Sequence, residues 1–479
     1  MSASRAGSVT TILTLVNVIL GFVFQSAIAA TLGLSGASDN FQLAWSIVTF
    51  GTIIFFTLVP ILLVPRMENP ETREVSIGDW PKFAILGALL TIAQLVAAEL
   101  SSPQLGDILR WSALSHLFAS TTAVPLAVAY IRKRFVVAGI GPAINGAALL
   151  VSFVTIGAGG NPSAIGACLA FGYLAQMLFV GFFGLYRSAP LRQSGQVPIR
   201  LFIFLVAFTL LSKFQPLLER FLSVGGPTGS TATLGFGQKL AQGLLLFAAF
   251  GLALTANATL ARKVKSGDFD GAADLMAKTL VTTFVFSCVI LLAAIPSRDL
   301  AIQILFVRGE FSTSDAHDVS DVLLAQFPWV IACALTGALT SYLYIERNYL
   351  RVATAAVIGL VVTYGVSHVL QGDFPVLAVP LASSAGSVVT LLWVSWLVIR
   401  STIWPLLKAK LGDYRETLYF SGIVTTASFI AAVVFRSVSG PGSWFVNLGL
   451  TLILILFLLC LRLLRPLWAQ CRAAVGGKL

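Results

Sequence analysis

The sequence predicts an all-α integral membrane protein with about fourteen transmembrane helices, and three observations carry that expectation. Hydrophobic residues fill 57% of the 479 positions and charged residues 11%, with a mean hydropathy of +0.90. Soluble domains carry about 25% charged residues. So much apolar surface cannot be folded away from water, and the bilayer has to act as its solvent. Apolar stretches of about 20 residues, each enough to cross a bilayer, also recur along the chain. Finally, the basic residues sort by loop. With the N-terminus placed in the cytoplasm, only Arg110, Arg298, Arg308 and Arg436 of the 31 Lys and Arg fall on the opposite side, while Lys213, Arg220 and Lys239 lie within spans. All the others are cytoplasmic. One missed span would scramble this parity, so it supports an even count and two cytoplasmic termini; the membrane is expected to be a bacterial inner membrane.

The expected spans run over 8–33, 41–65, 83–100, 109–131, 136–157, 163–186, 200–223, 231–257, 279–296, 319–345, 352–370, 375–399, 416–436 and 444–464. The first, from Val9 to Leu34, is too long for the apolar region of a signal peptide and reads as an uncleaved span. Connections such as Gly159–Pro162, Gly225–Ser230 and Gln371–Phe374 are short and rich in Gly or Pro, which makes neighbouring helices antiparallel. Ser312-Thr313-Ser314-Asp315 reads as a capping box opening the tenth span. A weak repeat links the turn Leu32–Ser38 to the turn Leu222–Ser230, with halves starting near residues 8 and 200. It divides the chain into a six-helix lobe at 1–198, a second at 199–400, and two further helices with a cytoplasmic tail at 401–479. Two lobes around a central cavity are a common transporter plan.

Composition and motifs exclude most other classes. The net charge of +11 is accounted for by one-sided loops, so it does not point to nucleic acid. The five cysteines stand singly, without a CxxC pair, and read as small apolar residues. Phosphate-loop, HExxH, GxSxG and metal-spaced His/Cys patterns are missing from the sequence, which reads as a transporter with no cofactor rather than an enzyme.

Charges inside apolar spans are the informative residues, since each costs roughly 2.5–3.5 kcal/mol at a helix centre. The seventh span holds Lys213, Glu219 and Arg220, and a seven-residue spacing places both cations on one face of a continuous helix. Lys239 follows in the eighth span with Gln238 and Gln242 beside it. Three cations against one carboxylate suggest a cavity that accepts an anion such as a pyrophosphate or an acidic sugar. Snorkelling from span ends with a structural Glu219–Arg220 contact is the bland alternative. Asp39 stands where the first hairpin re-enters the membrane, as a cap of the second helix or as a base in the cavity. His116 reads as a core histidine.

At the loop after the ninth span the sequence becomes familiar. Leu305-Phe306-Val307-Arg308-Gly309-Glu310-Phe311-Ser312, followed by Asp315, resembles the LFxRGxF(T/S)xxD segment of the MviN/MurJ family. Its members are lipid II flippases of the multidrug/oligosaccharidyl-lipid/polysaccharide exporter superfamily. Glu219-Arg220-Phe221-Leu222 with Gly235–Leu240, and Leu20-Gly21-Phe22 with Asp39 and Phe41, are similar to the seventh-to-eighth and first hairpins of that family. The resemblance implies alternating access for a polyprenyl-pyrophosphate-linked saccharide, lipid II or an exopolysaccharide repeat unit. Lys239, Arg220, Lys213 and Gln238 would hold the pyrophosphate, Asp39 would gate, and the last two helices would form a groove for the lipid tail. Membrane lipids, with a glycan polymerase or glycosyltransferase of the same pathway, are the partners it suggests. The sequence departs from the family pattern at Val18 and Phe24, where the first span usually carries arginines, at Gln25, where an acidic residue usually follows, and at Lys239, which replaces an arginine. A cation-coupled drug exporter of the same superfamily would want acidic groups in its spans. A membrane-embedded glycan-pathway enzyme or scaffold is the other alternative.

Overall fold

A computed structural model describes residues 3–58, 75–76, 79–132, 134–157, 159–185, 191–192, 198–249, 253–346 and 348–438. Over the described residues each expected span up to the thirteenth falls on helix; residues 59–65, 186 and 250–252 of the second, sixth and eighth spans and the whole of the fourteenth, at 444–464, lie outside the described residues. Ten of the described helices are long and apolar enough to cross a membrane, and a bent pair makes an eleventh. Helices Ser230–Ala249 and Arg415–Val438 stand where the eighth and thirteenth spans are expected. Among the described residues the architecture is all-α apart from a two-residue parallel bridge between Val75–Ser76 and Leu191–Arg192.

Several helices differ from their expected bounds. The fourth span is broken at Ala113 into Pro103–Ser112 and Leu114–Ile131. The ninth extends to Phe269–Phe306, well past the apolar stretch at either end. The tenth is split at Gln326 into Thr313–Ala325 and Phe327–Ile345. Pro328 sits in the first turn of the second piece, where a missing N–H leaves no bond unmade.

The helix surfaces invert the pattern of a soluble protein. On Trp80–Glu99, Ile85, Leu89, Ile92 and Val96 form an exposed apolar stripe, whereas Thr91 and Gln94 are buried. On Tyr349–Leu370, Val357, Val361, Tyr364 and Val369 are exposed while Thr363 and Ser367 are buried. An apolar exterior around a polar interior is stable only in lipid. Some interior hydroxyls are satisfied within their own helices, as Thr52 Oγ1 donates to the Val48 carbonyl and Ser287 Oγ to the Thr283 carbonyl, whereas others, Thr363 Oγ1 among them, are buried without a partner.

By contacts the chain divides into two compact units, Met1–Phe236 with Leu305–Ala316, and Gly237–Ile304 with His317–Leu479. In the first, helix Pro162–Leu185 packs on Leu114–Ile131 and on Phe135–Ser152, which in turn packs on the first helix, α1 (Ala3–Leu32). Its core holds Ile54, Phe55, Phe83, Val124, Val128 and Phe202. Phe202 stacks edge-on against Phe83, so helix Ile199–Lys213 joins this unit, and the contact division falls later than residue 198. In the second unit, Met276, Tyr342, Leu343, Val394 and Leu397 form the core. Helices Tyr349–Leu370 and Ala378–Ile399 approach so closely that a Cβ on Gly386 would lie 2.6 Å from the Gly359 carbonyl oxygen. Small residues replace hydrophobic burial as the means of packing helices in a membrane.

Candidate functional site

The first unit brings Asp39, Arg220 and Thr231 together at one corner, where the first hairpin meets the turn after residue 223. The second helix, α2 (Gly36–Leu58), carries Asp39 in its first turn. Asp39 does not cap its own helix. Its Oδ2 accepts the Gly229 N–H at 2.7 Å and its Oδ1 the Ala232 N–H at 2.8 Å. The carboxylate therefore closes the N-terminus of helix Ser230–Ala249, where orphan N–H groups and the helix dipole both favour negative charge. Sequence position alone pointed to the nearer helix; only the fold brings the turn 190 residues on into reach.

Arg220 lies on the same turn from the other side. Its Nε donates to Ser46 Oγ at 3.3 Å and its Nη1 to the Thr231 carbonyl at 3.2 Å. Thr231 Oγ1 also accepts a hydrogen bond from Ser223 Oγ at 3.0 Å. Arg220 and Asp39 are thus tied to consecutive backbone groups of one turn, and both are largely protein-bonded. Glu219 is buried and accepts from Gln215 Nε2 at 3.0 Å.

Lys213 is not brought to this corner. The seventh span bends by 47° between Ile199–Lys213 and Gln215–Ser223, so the expectation of one continuous helix with two cations on one face fails. Pro216, in the first turn of the second piece, removes a backbone donor where the bend occurs. Lys213 ends exposed on the last turn before the break.

Lys239 and Gln238 belong to the second unit, on helix Ser230–Ala249. Gln238 is buried and Lys239 partly buried. Among the described residues Lys239 makes no hydrogen bond or ion pair, in contrast to Arg220.

The departures in the first span have a packing explanation. Phe24 is 2% exposed and packs against Phe41, Trp45 and Phe153. Gln25 accepts a hydrogen bond from Gln42 Nε2 at 2.9 Å. Two positions that the family resemblance marks as charged are here an aromatic cluster and a neutral amide pair. His116 sits in the core, its Nε2 2.6 Å from Gln94 Oε1, as a lone apolar-face histidine should.

The Arg308–Asp315 motif clips onto the end of α1. The Glu310 N–H donates to the Ala30 carbonyl at 2.9 Å, and Ser26 Oγ donates to the Leu305 carbonyl at 2.5 Å. Gly33 and Gly309 have φ of +55° and +59°, and a Cβ on either would run into the opposing backbone. Phe236, Phe306 and Phe311 stack beneath the clip. The capping box forms reciprocally: Ser312 Oγ accepts the Asp315 N–H at 3.2 Å, and Asp315 Oδ2 accepts the Ser312 N–H at 2.8 Å. These long-range partners, Ala30 and Ser26 above all, carried no signal in the sequence.

The family model described as lipid II flippase MurJ matches residues 83–455. The chain belongs to the MurJ lipid II flippase family. Among solved structures, "Lipid II flippase MurJ, inward closed conformation" superposes with a TM-score of 0.75 over 96% of this chain and 99% of that one, at 14% identity. An inward-facing multidrug resistance MATE family transporter of the MOP superfamily gives 0.59 over 85% and 96%, at 11% identity. A MATE complex with MaL6 gives 0.58 over 84% and 97%, at 12% identity. No curated protein sequence matches. The chain is a multi-pass membrane transporter of the lipid II flippase family, with a lipid-linked saccharide as its substrate class, not an enzyme; the drug-exporter alternative is the weaker match. Among the described residues no group of three or more His, Cys, Asp or Glu is placed to hold a metal ion.

Proposed function

We propose that this chain carries lipid II from the cytoplasmic to the outer face of the bacterial inner membrane, with both termini in the cytoplasm. The lobes 1–198 and 199–400 alternate in access to a central cavity, and the helices at 401–479 guide the polyprenyl tail. The observation that carries the reading is Lys239, a cation in a membrane helix with no hydrogen-bonding or ionic protein partner among the described residues. A charge kept in an apolar span without such a partner needs a ligand to offset its desolvation. Lys239 with Gln238 holds the pyrophosphate, and exposed Lys213 meets the headgroup as it enters. Arg220 and Asp39 act on the cargo chiefly by fixing the turn 223–232, which orients the helix bearing Lys239. The membrane potential supplies about 2.3 kcal/mol per charge per 100 mV, enough to bias transfer of an anionic head. A glycan polymerase or glycosyltransferase of the same pathway delivers or takes up the cargo.

The test is complementation of a bacterium depleted of its own lipid II flippase. Rescue by the wild-type chain and loss of rescue with Lys239→Gln, at equal membrane abundance, support the proposal. Failure of the wild-type chain assigns it another polyprenyl-linked saccharide, consistent with Phe24 standing in an aromatic cluster instead of a cationic site.

A further inference from the structure

Of the three histidines in the chain, His116 alone is buried, at 2% exposure on helix Leu114–Ile131. Its protonation pattern follows from Gln94. The Gln94 amide nitrogen donates to the Leu109 carbonyl at 2.9 Å and to Ser112 Oγ at 2.8 Å. A carbonyl only accepts, so Gln94 turns its oxygen to the ring, and His116 Nε2, 2.6 Å away, carries the hydrogen. In the neutral ring the lone pair then sits on Nδ1, which has no hydrogen-bond partner among the described residues. That edge of the ring lies against Gly51 of α2, where a Cβ would come within 2.7 Å of Nδ1.

The helices packed on Leu114–Ile131 carry Asp39, Lys82, Glu99, Asp107, Arg110, Cys168 and Tyr173 as their ionisable groups. Asp39 is bonded to Gly229 and Ala232, Lys82 to Asp79, Arg110 to Glu99 and Asp107, and Tyr173 to Thr52. Cys168 lies against Gly157, and none of these groups is bonded to the ring. A proton added to Nδ1 would place a charge and a new donor where this packing offers neither counterion nor acceptor.

We propose that His116 is a proton-binding switch: protonation of Nδ1 shifts α2 against the broken fourth span and so regulates transport. The bond formed is N–H, and the proton comes from water. Through α2 the switch reaches the cargo site, because Asp39 and Ser46 hold the turn 223–232 by way of Gly229, Ala232 and Arg220. On its other side, Gln94 joins the ring to the last turn before the break at Ala113, and Thr91 Oγ1 donates to the Ala113 carbonyl at 3.3 Å. The ring thus stands between the hairpin that steers Lys239 and a discontinuous span, an element able to take two discrete arrangements. The effect on transport rests on the flippase reading; proton binding and the movement of α2 do not.

Nuclear magnetic resonance of the full-length chain in nanodiscs, with nitrogen-labelled histidine and no cargo, tests it. His116 should read as the Nε2–H tautomer at about pH 8 and become imidazolium on acidification toward about pH 4. Hydrogen exchange along α2 should rise at least about threefold over the same transition. His116→Gln keeps an N–H for Gln94 and should remove the response, as should Gly51→Ala, which crowds Nδ1. Gln94→Glu sets a carboxylate against the ring and should move the midpoint at least about one pH unit to the alkaline side. In vesicles carrying lipid II, wild-type flipping should change with the same midpoint, and His116→Gln should lack that step. A ring that stays neutral until the protein unfolds, exchange in α2 that ignores the transition, or a midpoint unmoved in Gln94→Glu would each overturn the proposal. A wild type that takes up the proton with the α2 response but moves no lipid II supports the switch and overturns the flippase reading instead.

Discussion

Two cations sit in consecutive membrane helices of this protein and are treated in opposite ways. Arg220 is bonded to Ser46 and to the Thr231 carbonyl, on a turn that Asp39 grips from the other side. Lys239, one helix on, has no hydrogen-bond or ionic partner among the described residues. The first charge is bonded into the structure, and under the function proposed above the second is left for the cargo. Residue type agrees with this division: a guanidinium holds several carbonyl and hydroxyl acceptors in fixed geometry, while an ammonium on a flexible stem adapts to a moving ligand.

The contrast breaks most sharply at Arg220. Replacing it with Ala leaves Glu219 buried with less compensation and frees the Thr231 carbonyl, and the loss should be roughly 3–5 kcal/mol. Thermal unfolding of the purified protein in detergent reads this directly. A variant that melts like wild type yet fails to transport would move Arg220 to the side of Lys239 and erase the distinction.

Lys239→Gln should do the reverse. Melting is expected to stay at the wild-type value, or to rise slightly as a desolvated charge is removed, while flipping in reconstituted vesicles falls at least about tenfold, the equivalent of 1.4 kcal/mol. Lys239→Arg should retain most activity, because the charge remains. Equal stability loss in Lys239→Gln and Arg220→Ala would mean that both are structural.

How far these roles could be read from the sequence depends on the range of the interaction. The spans were legible because each is set by local hydropathy, and the capping box at Ser312–Asp315 because its two partners are three residues apart. The intramembrane charges were visible as exceptions to composition. Their division of labour was not, because Asp39 finds its partners at Gly229 and Ala232, and the motif at 305–311 finds its own at Ala30 and Ser26. The break after Lys213 also escaped notice, since Pro216 is compatible with a continuous bent span until the 47° angle is seen. Periodicity reports on one element at a time, and this site is made by loops from two.

A smaller effect separates the two aspartates that close helix N-termini. Asp39→Asn keeps one acceptor oxygen but loses the charge and the second bond, so helix Ser230–Ala249 should lose about 1 kcal/mol of support. Chemical denaturation in mixed micelles would measure it. A neutral outcome would mean that the turn is held by Arg220 alone, and the double variant with Arg220→Ala would then add nothing further.

The smallest effect belongs to Asp268, the exposed counterpart of Asp39. Its Oδ1 accepts the Gly271 N–H at 2.9 Å at the start of helix Phe269–Phe306, and its Oδ2 pairs with Lys263 at 2.7 Å. The hydrogen bond from Lys263, with that of Gly271, holds its carboxyl below the ordinary value of 3.8. A depressed carboxylate stabilises the fold above its unfolded pKa, and the contribution disappears as pH falls through the lower folded value. Asp268→Asn should therefore lower the melting temperature slightly at neutral pH and hardly at all near pH 3, and added salt should shrink the difference because the pair is in water. Asp39, shielded by the corner it closes, should show no such salt dependence; if both aspartates respond to salt alike, the corner is open to solvent and Arg220 is no more sequestered than Lys239.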